Sequence, residues 1–371
     1  MRTSTPSQTE AVMELLTGTG PVRLGHAERL FGRTGADPEI LALTDTLEGV
    51  RLSRPRLLAE SEGPEEGVTT LTVESGRGIR ADLFVAVDDD GTLGGLRMTA
   101  RTPRPADPAQ LREALSVLDP EAAVLARTDD TDVADQRVKA VASLVKIFVQ
   151  LAVMRAVERG DLHLGHRHAL GPDDVSLLSA GLGAQHVGTR ITVAELCRLM
   201  VLRSDNTATD ALIGLVGRRA VVAAMTECGV DPGLNAPFRT MRESAEASWG
   251  SGDAVSSTRP DARTTLPPVH RAGLDYYAPL TAVASAMERL AAMSWSPWPT
   301  GAQLPPGAPV GVMYKGGNAP GVLSTSWVRR SGHRARSLMF AVNTDEPLGM
   351  LEEVYAFTCA ESTLSHLGLI H

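Results

Sequence analysis

Three prolines fall within the seven residues Thr102-Pro103-Arg104-Pro105-Ala106-Asp107-Pro108, and no other stretch limits the fold of this chain as much. Proline fixes its own φ, offers no N–H and pushes the residue before it out of the helical region, so neither helix nor sheet continues through such a cluster. The chain is divided there. Its 371 residues also exceed what a single hydrophobic core usually organises. Two domains are expected: a small one over residues 1–105, ending in this linker, and a larger one over 106–371.

The front segment reads as α+β. Residues 9–16 and 41–47 carry the apolar spacing of short helices. Residues 68–73 and 79–87 alternate apolar and polar side chains around Ser75-Gly76-Arg77-Gly78, and Asp88-Asp89-Asp90-Gly91 turns the chain into a third strand over 93–99. The aspartate run lacks the spaced ligands and distal glutamate of a calcium loop, so a solvated hairpin turn is expected.

Charge excludes one class of partner. With 36 Lys and Arg against 44 Asp and Glu, the net charge is −8, and a polyanion would need clustered basic residues that this balance does not supply. No nucleic acid is expected. Residues 1–20 hold no apolar core of signal-peptide length and no later run approaches a membrane span, so a cytoplasmic protein without membrane contact is expected. Cys197, Cys228 and Cys359 lie in apolar or helical surroundings without metal spacing, which reads as buried thiols in a reducing compartment, with no metal and no cofactor.

Beyond the linker, a helix is expected over 109–118 and a strand over 122–127. Val141-Ala142-Ser143-Leu144-Val145-Lys146-Ile147-Phe148-Val149 then opens an apolar helix running toward Gly160. Ser143 and Lys146, three residues apart, share one face of that helix, which brings an amine within reach of a hydroxyl. A free serine is a weak nucleophile until a neighbouring base takes its proton. Alternatively Ser143 merely caps the helix. Residues 191–200 form another amphipathic helix that runs into Arg203-Ser204-Asp205-Asn206, and Tyr314-Lys315-Gly316-Gly317-Asn318 sits where an apolar strand meets a turn. Residues 244–268, rich in Ser, Gly, Asp and Arg, read as a surface excursion or lid, 276–293 as helix, 338–344 as strand and 350–367 as a closing helix. Helices cluster in the middle and strands at both ends. The expected class is α+β: an antiparallel sheet flanked by helices, with an all-helical subdomain.

Ser-x-x-Lys, Ser-Asp-Asn and Lys-x-Gly in that order form the motif triplet of the serine β-lactamases and penicillin-binding proteins. Residues 160–164, 192–217 and 315–327 (KGGNAPGVLSTSW) also look like class A β-lactamase sequence, so the resemblance covers about residues 125–371. It implies Ser143 as nucleophile, Lys146 as the base, Ser204 as the alcohol that passes a proton to the leaving nitrogen, and Lys315 as the cation that attracts a substrate carboxylate. Asn206 would hold a substrate amide, with Gly316, Gly317 and Asn318 lining the strand, and the Ser143 and Asn318 N–H groups would form the oxyanion pair. Asp205 would tie the loop through backbone contacts. Gly316 departs from the family, where Thr or Ser usually adds a hydroxyl grip on the carboxylate. The front segment resembles a ketosteroid-isomerase-like or cystatin-like domain that precedes a β-lactamase-like domain in some actinobacterial proteins, including those of clavam antibiotic clusters. Isomerase chemistry needs a tyrosine in the oxyanion hole, and Tyr276, Tyr277, Tyr314 and Tyr355 all lie outside that segment.

Class A enzymes clear the acyl-enzyme with a glutamate in a Glu-x-x-Leu-Asn signature, which this chain lacks. Glu243, in Pro237-Phe238-Arg239-Thr240-Met241-Arg242-Glu243-Ser244, is the nearest candidate, and a surface pair with Arg239 or Arg242 is its competing role. The expected function is a serine acyl hydrolase acting on a small β-lactam or ester, with deacylation impaired. An esterase, an accessory or binding protein of β-lactam or clavam biosynthesis, and a D-alanyl-D-alanine peptidase remain open alternatives.

Overall fold

The computed structural model describes residues 8–18, 22, 24–32, 38–87, 92–250, 266–298, 311–331 and 334–370. The chain divides into two compact units, Met1–Pro105 with Pro347–Ser362, and Ala106–Glu346 with Thr363–His371.

In the first unit, helices α1 (Gln8–Thr17), α2 (Leu24–Phe31) and α3 (Pro38–Leu52) precede an antiparallel sheet of β1 (Arg56–Glu62), β2 (Val68–Glu74), β3 (Arg80–Val87) and β4 (Leu93–Ala100), paired in sequence order. Period-two alternation places Leu71 and Val73 of β2 and Ala81, Leu83 and Val85 of β3 in one core with Leu15, Leu16, Ile40 and Leu47. Strand β1 was not expected. All seven of its residues are exposed, so its sequence RLLAESE carries no alternation to read. Helix α2 was likewise missed, and the expected turn at 88–91 lies outside the described residues.

The first unit also takes back a late piece of chain. Leu351 enters its core, the Ser53 hydroxyl donates to Glu352 and accepts from Leu351 N–H at 3.0 Å, and Glu352 accepts from Gly349 N–H at 3.1 Å. A boundary drawn at the proline cluster alone does not anticipate this return.

The second unit starts on α4 (Pro108–Leu115), whose N-cap Asp107 accepts from Ala109 and Gln110 N–H at 2.9 Å while Pro108 occupies the first turn. Strands β5 (Ala123–Arg127), β6 (Asp132–Val133) and β7 (Val138–Ala140) lead to a 3-10 turn, Ala142–Leu144, and to α5 (Val145–Glu158). The short strands β8 (Arg167–Ala169) and β9 (Arg190–Thr192) pair with each other and are followed by α6 (Val193–Leu202), α7 (Asn206–Val216), α8 (Arg218–Glu227) and α9 (Met241–Trp249). After β10 (Tyr277–Pro279) come α10 (Leu280–Ala292), β11 (Val312–Ala319), β12 (Val322–Ser331) and β13 (Arg334–Asn343); the last helix, α11 (Met350–His366), belongs to the first unit as far as Ser362. The main sheet is antiparallel in the order β11-β12-β13-β5-β6, which makes β11 its edge strand among the described residues.

Helix α5 is the hub. Every residue from Val145 to Met154 is buried, in contact with α6, α7, α8 and α10, and each fully buried Leu, Ile, Val or Phe there contributes about 1.5–3 kcal/mol relative to exposure. Such a helix can only sit inside a core, and Lys146 goes in with it.

Two sequence expectations need correction. Residues 244–249 belong to α9 rather than to a loop, while 251–265 lie outside the described residues. The helix expected from 276 begins at Leu280, because Tyr277, Ala278 and Pro279 pair antiparallel with Ala140, Lys139 and Val138, and Pro279 then stands at the N-cap position in an extended conformation. The three cysteines are buried free thiols, and burial pushes Cys197 and Cys359 up to about 12. Among the described residues no helix is long and apolar enough to cross a membrane.

Candidate active site

The site is built on a strained turn. Ala142 has φ 45°, a left-handed conformation that costs a non-glycine residue about 1–3 kcal/mol and therefore needs outside support. That support comes from the segment before β10. Val141 N–H donates to Tyr276 O at 2.8 Å, and Ala142 N–H donates at 3.0 Å to the Asp275 carboxylate, which also accepts Tyr276 N–H at 2.6 Å. Asp275 keeps some surface in solvent, yet the protein crowding its carboxyl pushes it up to about 6. No sequence motif announced this residue.

The turn delivers Ser143 half-buried at the head of α5, and its hydroxyl makes no hydrogen bond among the described residues. Strand β11 closes on the same turn from the other side. A Cβ on Gly317 would run into the Val141 carbonyl oxygen and the Ser324 hydroxyl and come within 3.0 Å of Leu144 N. Ser324 donates to Val141 O at 2.7 Å. Gly317 is therefore required by packing: only a glycine lets the edge strand approach the Ser143 turn so closely.

At the second position of α5, Lys146 is wholly buried and its Nζ donates to Ser204 O, to Ser204 Oγ at 3.1 Å and to Asn206 Oδ1 at 2.7 Å. Lys315, 3% exposed on β11, donates to the same Ser204 Oγ at 3.0 Å and to Gly316 O. One hydroxyl thus accepts from two lysines, which occupies both of its lone pairs and leaves its proton to be given elsewhere. Desolvation pushes Lys315 down to about 7. Ser204 itself holds a left-handed φ of 55°, and the Lys146 bond to its carbonyl secures that geometry.

The loop around Ser204 is tied down by its neighbours. Asp205, fully buried, caps α7 by accepting from Ala208 N–H at 2.7 Å and accepts Leu182 N–H at 2.8 Å, the backbone role expected of it. Asn206 Nδ2 donates to Leu177 O at 2.9 Å and Leu178 O at 3.2 Å. Both ends of this amide bind protein, so it braces Lys146 against the 177–178 turn. Gly316 and Asn318 follow Lys315 along β11, half-buried and exposed respectively.

Glu243 is not drawn into this network. It sits at the third position of α9, where it accepts Thr240 N–H at 3.0 Å and Thr240 Oγ1 accepts Glu243 N–H at 3.2 Å, a capping box. Its other oxygen pairs with Arg218 at 2.7 Å. Burial pushes its carboxyl up, but the Arg218 bond, the Thr240 N–H and nearby arginines outweigh that and hold it below the usual range. The T-x-x-E signature of that box was readable in the sequence. Asp210, another residue not foreseen, holds the same helix: it accepts from Met241 N–H at 2.7 Å and Arg242 N–H at 2.9 Å, and burial pushes it up to about 6.

A lysine on an edge strand, a second lysine on a buried helix and one hydroxyl between them are consistent with a serine acyl hydrolase, and the second unit has a β-lactamase-like fold. Residues 122–266 match the sequence model of the Beta-lactamase enzyme family. Beta-lactamase L2 of Stenotrophomonas maltophilia is 38% identical over 91 residues, 24% of this chain and 29% of that protein, so the match spans less than a third of the relative's length. Among solved structures, a β-lactamase from Sphaerobacter thermophilus is similar at 21% identity and a TM-score of 0.46, over 71% of this chain and 98% of its own. PBP-A is similar at 19% identity and a TM-score of 0.43, over 72% of this chain and 99% of its own.

Proposed function

We propose that this protein is a serine acyl hydrolase of the class A β-lactamase type, in which Ser143 attacks a β-lactam or ester carbonyl and carries the acyl group as an ester. The observation that carries this reading is the Ser204 hydroxyl held between Lys146 and Lys315. Lys146 in its neutral form takes the Ser143 proton as Oγ bonds to the carbonyl carbon. The Ser143 and Asn318 N–H groups face the developing oxyanion, a term worth about 3–4 kcal/mol per donor in comparable sites. Ser204 then gives its proton to the leaving nitrogen or oxygen and regains one from the lysines. The first unit serves as an accessory without chemistry of its own.

Hydrolysis of the acyl-enzyme is the slow half. Glu243 is committed to Arg218 and Thr240, which favours an ester over a β-lactam as the substrate that turns over, since an ester's acyl-enzyme is cleared by a less well placed water. A small molecule of β-lactam or clavam metabolism in the cytoplasm fits that slow turnover. Intact-mass spectrometry with a penicillin, a cephalosporin, a clavam and a simple ester tests the reading. At least one adduct is expected on the wild type and none on Ser143→Ala. No adduct with any probe would leave a binding protein.

A further inference from the structure

The residue before Lys315 has a placement that the motif does not explain. On an edge strand, Tyr314 and Gly316 point to one face and Lys315 to the other. A Cβ built on Gly316 would lie 2.6 Å from the Tyr314 hydroxyl oxygen, 3.3 Å from Cζ and 3.7 Å from Cε1. The phenol therefore fills the space in which any side chain at 316 would stand. Gly316 is a vacancy made for a neighbour's hydroxyl.

That hydroxyl is fixed in place. The Tyr314 ring packs on Trp327 with centroids 5.5 Å apart, and Trp327 packs in turn on Phe340 at 6.0 Å. Trp298 Nε1 holds the Tyr314 carbonyl at 2.7 Å, so the backbone is pinned as well as the ring. Tyr314 nevertheless stays partly exposed, whereas Thr325, directly across the strands from Gly316, has its hydroxyl fully buried. The Lys315 ammonium reaches the same residue through the Gly316 carbonyl. Two of its three N–H groups are used by Gly316 O and Ser204 Oγ, and among the described residues the third has no acceptor. A rigid phenol and a cation with one donor to spare are thus both anchored at Gly316, on the edge strand of the main sheet among the described residues. The phenol flanks that edge from one face of the strand and the ammonium from the other, so an anion docked along it could be held from both sides, a charge-assisted O–H bond adding direction to the ammonium's attraction.

We propose that Tyr314 is a specificity-determining residue whose hydroxyl, seated over Gly316, binds the carboxylate of an acylating substrate together with Lys315. This rests on the acyl-enzyme reading above, and its test separates the two. Rates of Ser143 labelling are measured with a carboxylate-bearing cephalosporin and with an uncharged aryl ester, for the wild type, Tyr314→Phe and Tyr314→Phe/Gly316→Ser. Losing a hydrogen bond to a charged group should lower the cephalosporin-to-ester rate ratio by about ten- to a hundredfold in Tyr314→Phe. The double variant, which puts a hydroxyl at 316 once the phenol oxygen has gone, should recover most of that ratio. A Tyr314→Phe ratio equal to that of the wild type, whether both rates hold or both fall, overturns the assignment while leaving the acyl-enzyme intact. Labelling of the wild type by neither probe, or of Ser143→Ala by either, overturns the acyl-enzyme reading and this one with it.

Discussion

The Ser143 turn and the head of α9 are both places where backbone and carboxylate meet, and they are built to opposite ends. At the turn, strain is accepted: Ala142 and Ser204 are left-handed, and Asp275, Lys146 and the Gly317 strand hold them there. At α9 nothing is strained. Thr240, Glu243, Asp210 and Arg218 satisfy the first-turn N–H groups and one another. Strain persists only where surrounding structure over-determines it, which is the case in the first region, whereas the second does no more than hold a helix. On the proposed reading acylation belongs to the first region, while in the second Glu243 and Asp210 are both engaged by their own partners.

The largest effect that would break this comparison comes from Ser204→Ala. Removing the alcohol that both lysines address should slow acylation about 10²- to 10⁴-fold, read by stopped-flow or quenched mass spectrometry, and a near-wild-type rate would sink the relay. Gly317→Ala should follow, because its Cβ meets Val141 O and Ser324 Oγ. About 1–3 kcal/mol of stability should be lost on thermal unfolding, with the labelling rate falling alongside as the turn shifts.

Lys315 supplies a pH test. Its folded pKa near 7 lies below the roughly 10.4 of an unfolded lysine, so between those values the unfolded chain binds more protons and stability should rise with pH on its account. The penalty is complete below about pH 7 and gone above pH 10, taking the same two pKa values. Lys315→Met should therefore stabilise the protein more at pH 7 than at pH 10 in urea unfolding, and the reverse order would show that the charge is not desolvated. The smallest effect is expected from Glu243→Gln. Its ion pair is partly exposed, so stability should fall by only about 0.2–1 kcal/mol, with acylation and deacylation rates both kept. A tenfold drop in deacylation would restore Glu243 as the water activator.

Much of this was legible in one dimension. Strands β2 to β4 and helices α5 and α6 follow from alternation and spacing, since burial on one face or all round leaves its mark on composition, whereas the helix α7 behind Ser204 was not read. Strand β1 left none, being exposed on both faces. The choice for Glu243 between base and cap was present in Thr240-x-x-Glu243, a local pattern whose outcome was decided by the position of Arg218, twenty-five residues earlier. Asp275, Asp210 and Tyr314 carry no motif, because each acts on a backbone or a vacancy brought near by folding.

What the sequence by itself determined was which groups the site would hold: a serine and a lysine one helical turn apart, a second serine just past the end of a helix and a lysine on a glycine-rich strand. Spacing along a helix or strand is a local property, and local geometry follows from bond angles and hydrogen-bond periods. Only the tertiary structure decided that one hydroxyl would lie between both lysines, that Gly316 would make room for a tyrosine and that the late segment 347–362 would return to the first unit. Those outcomes depend on close packing between segments far apart in the chain, where a single Cβ is enough to forbid an approach.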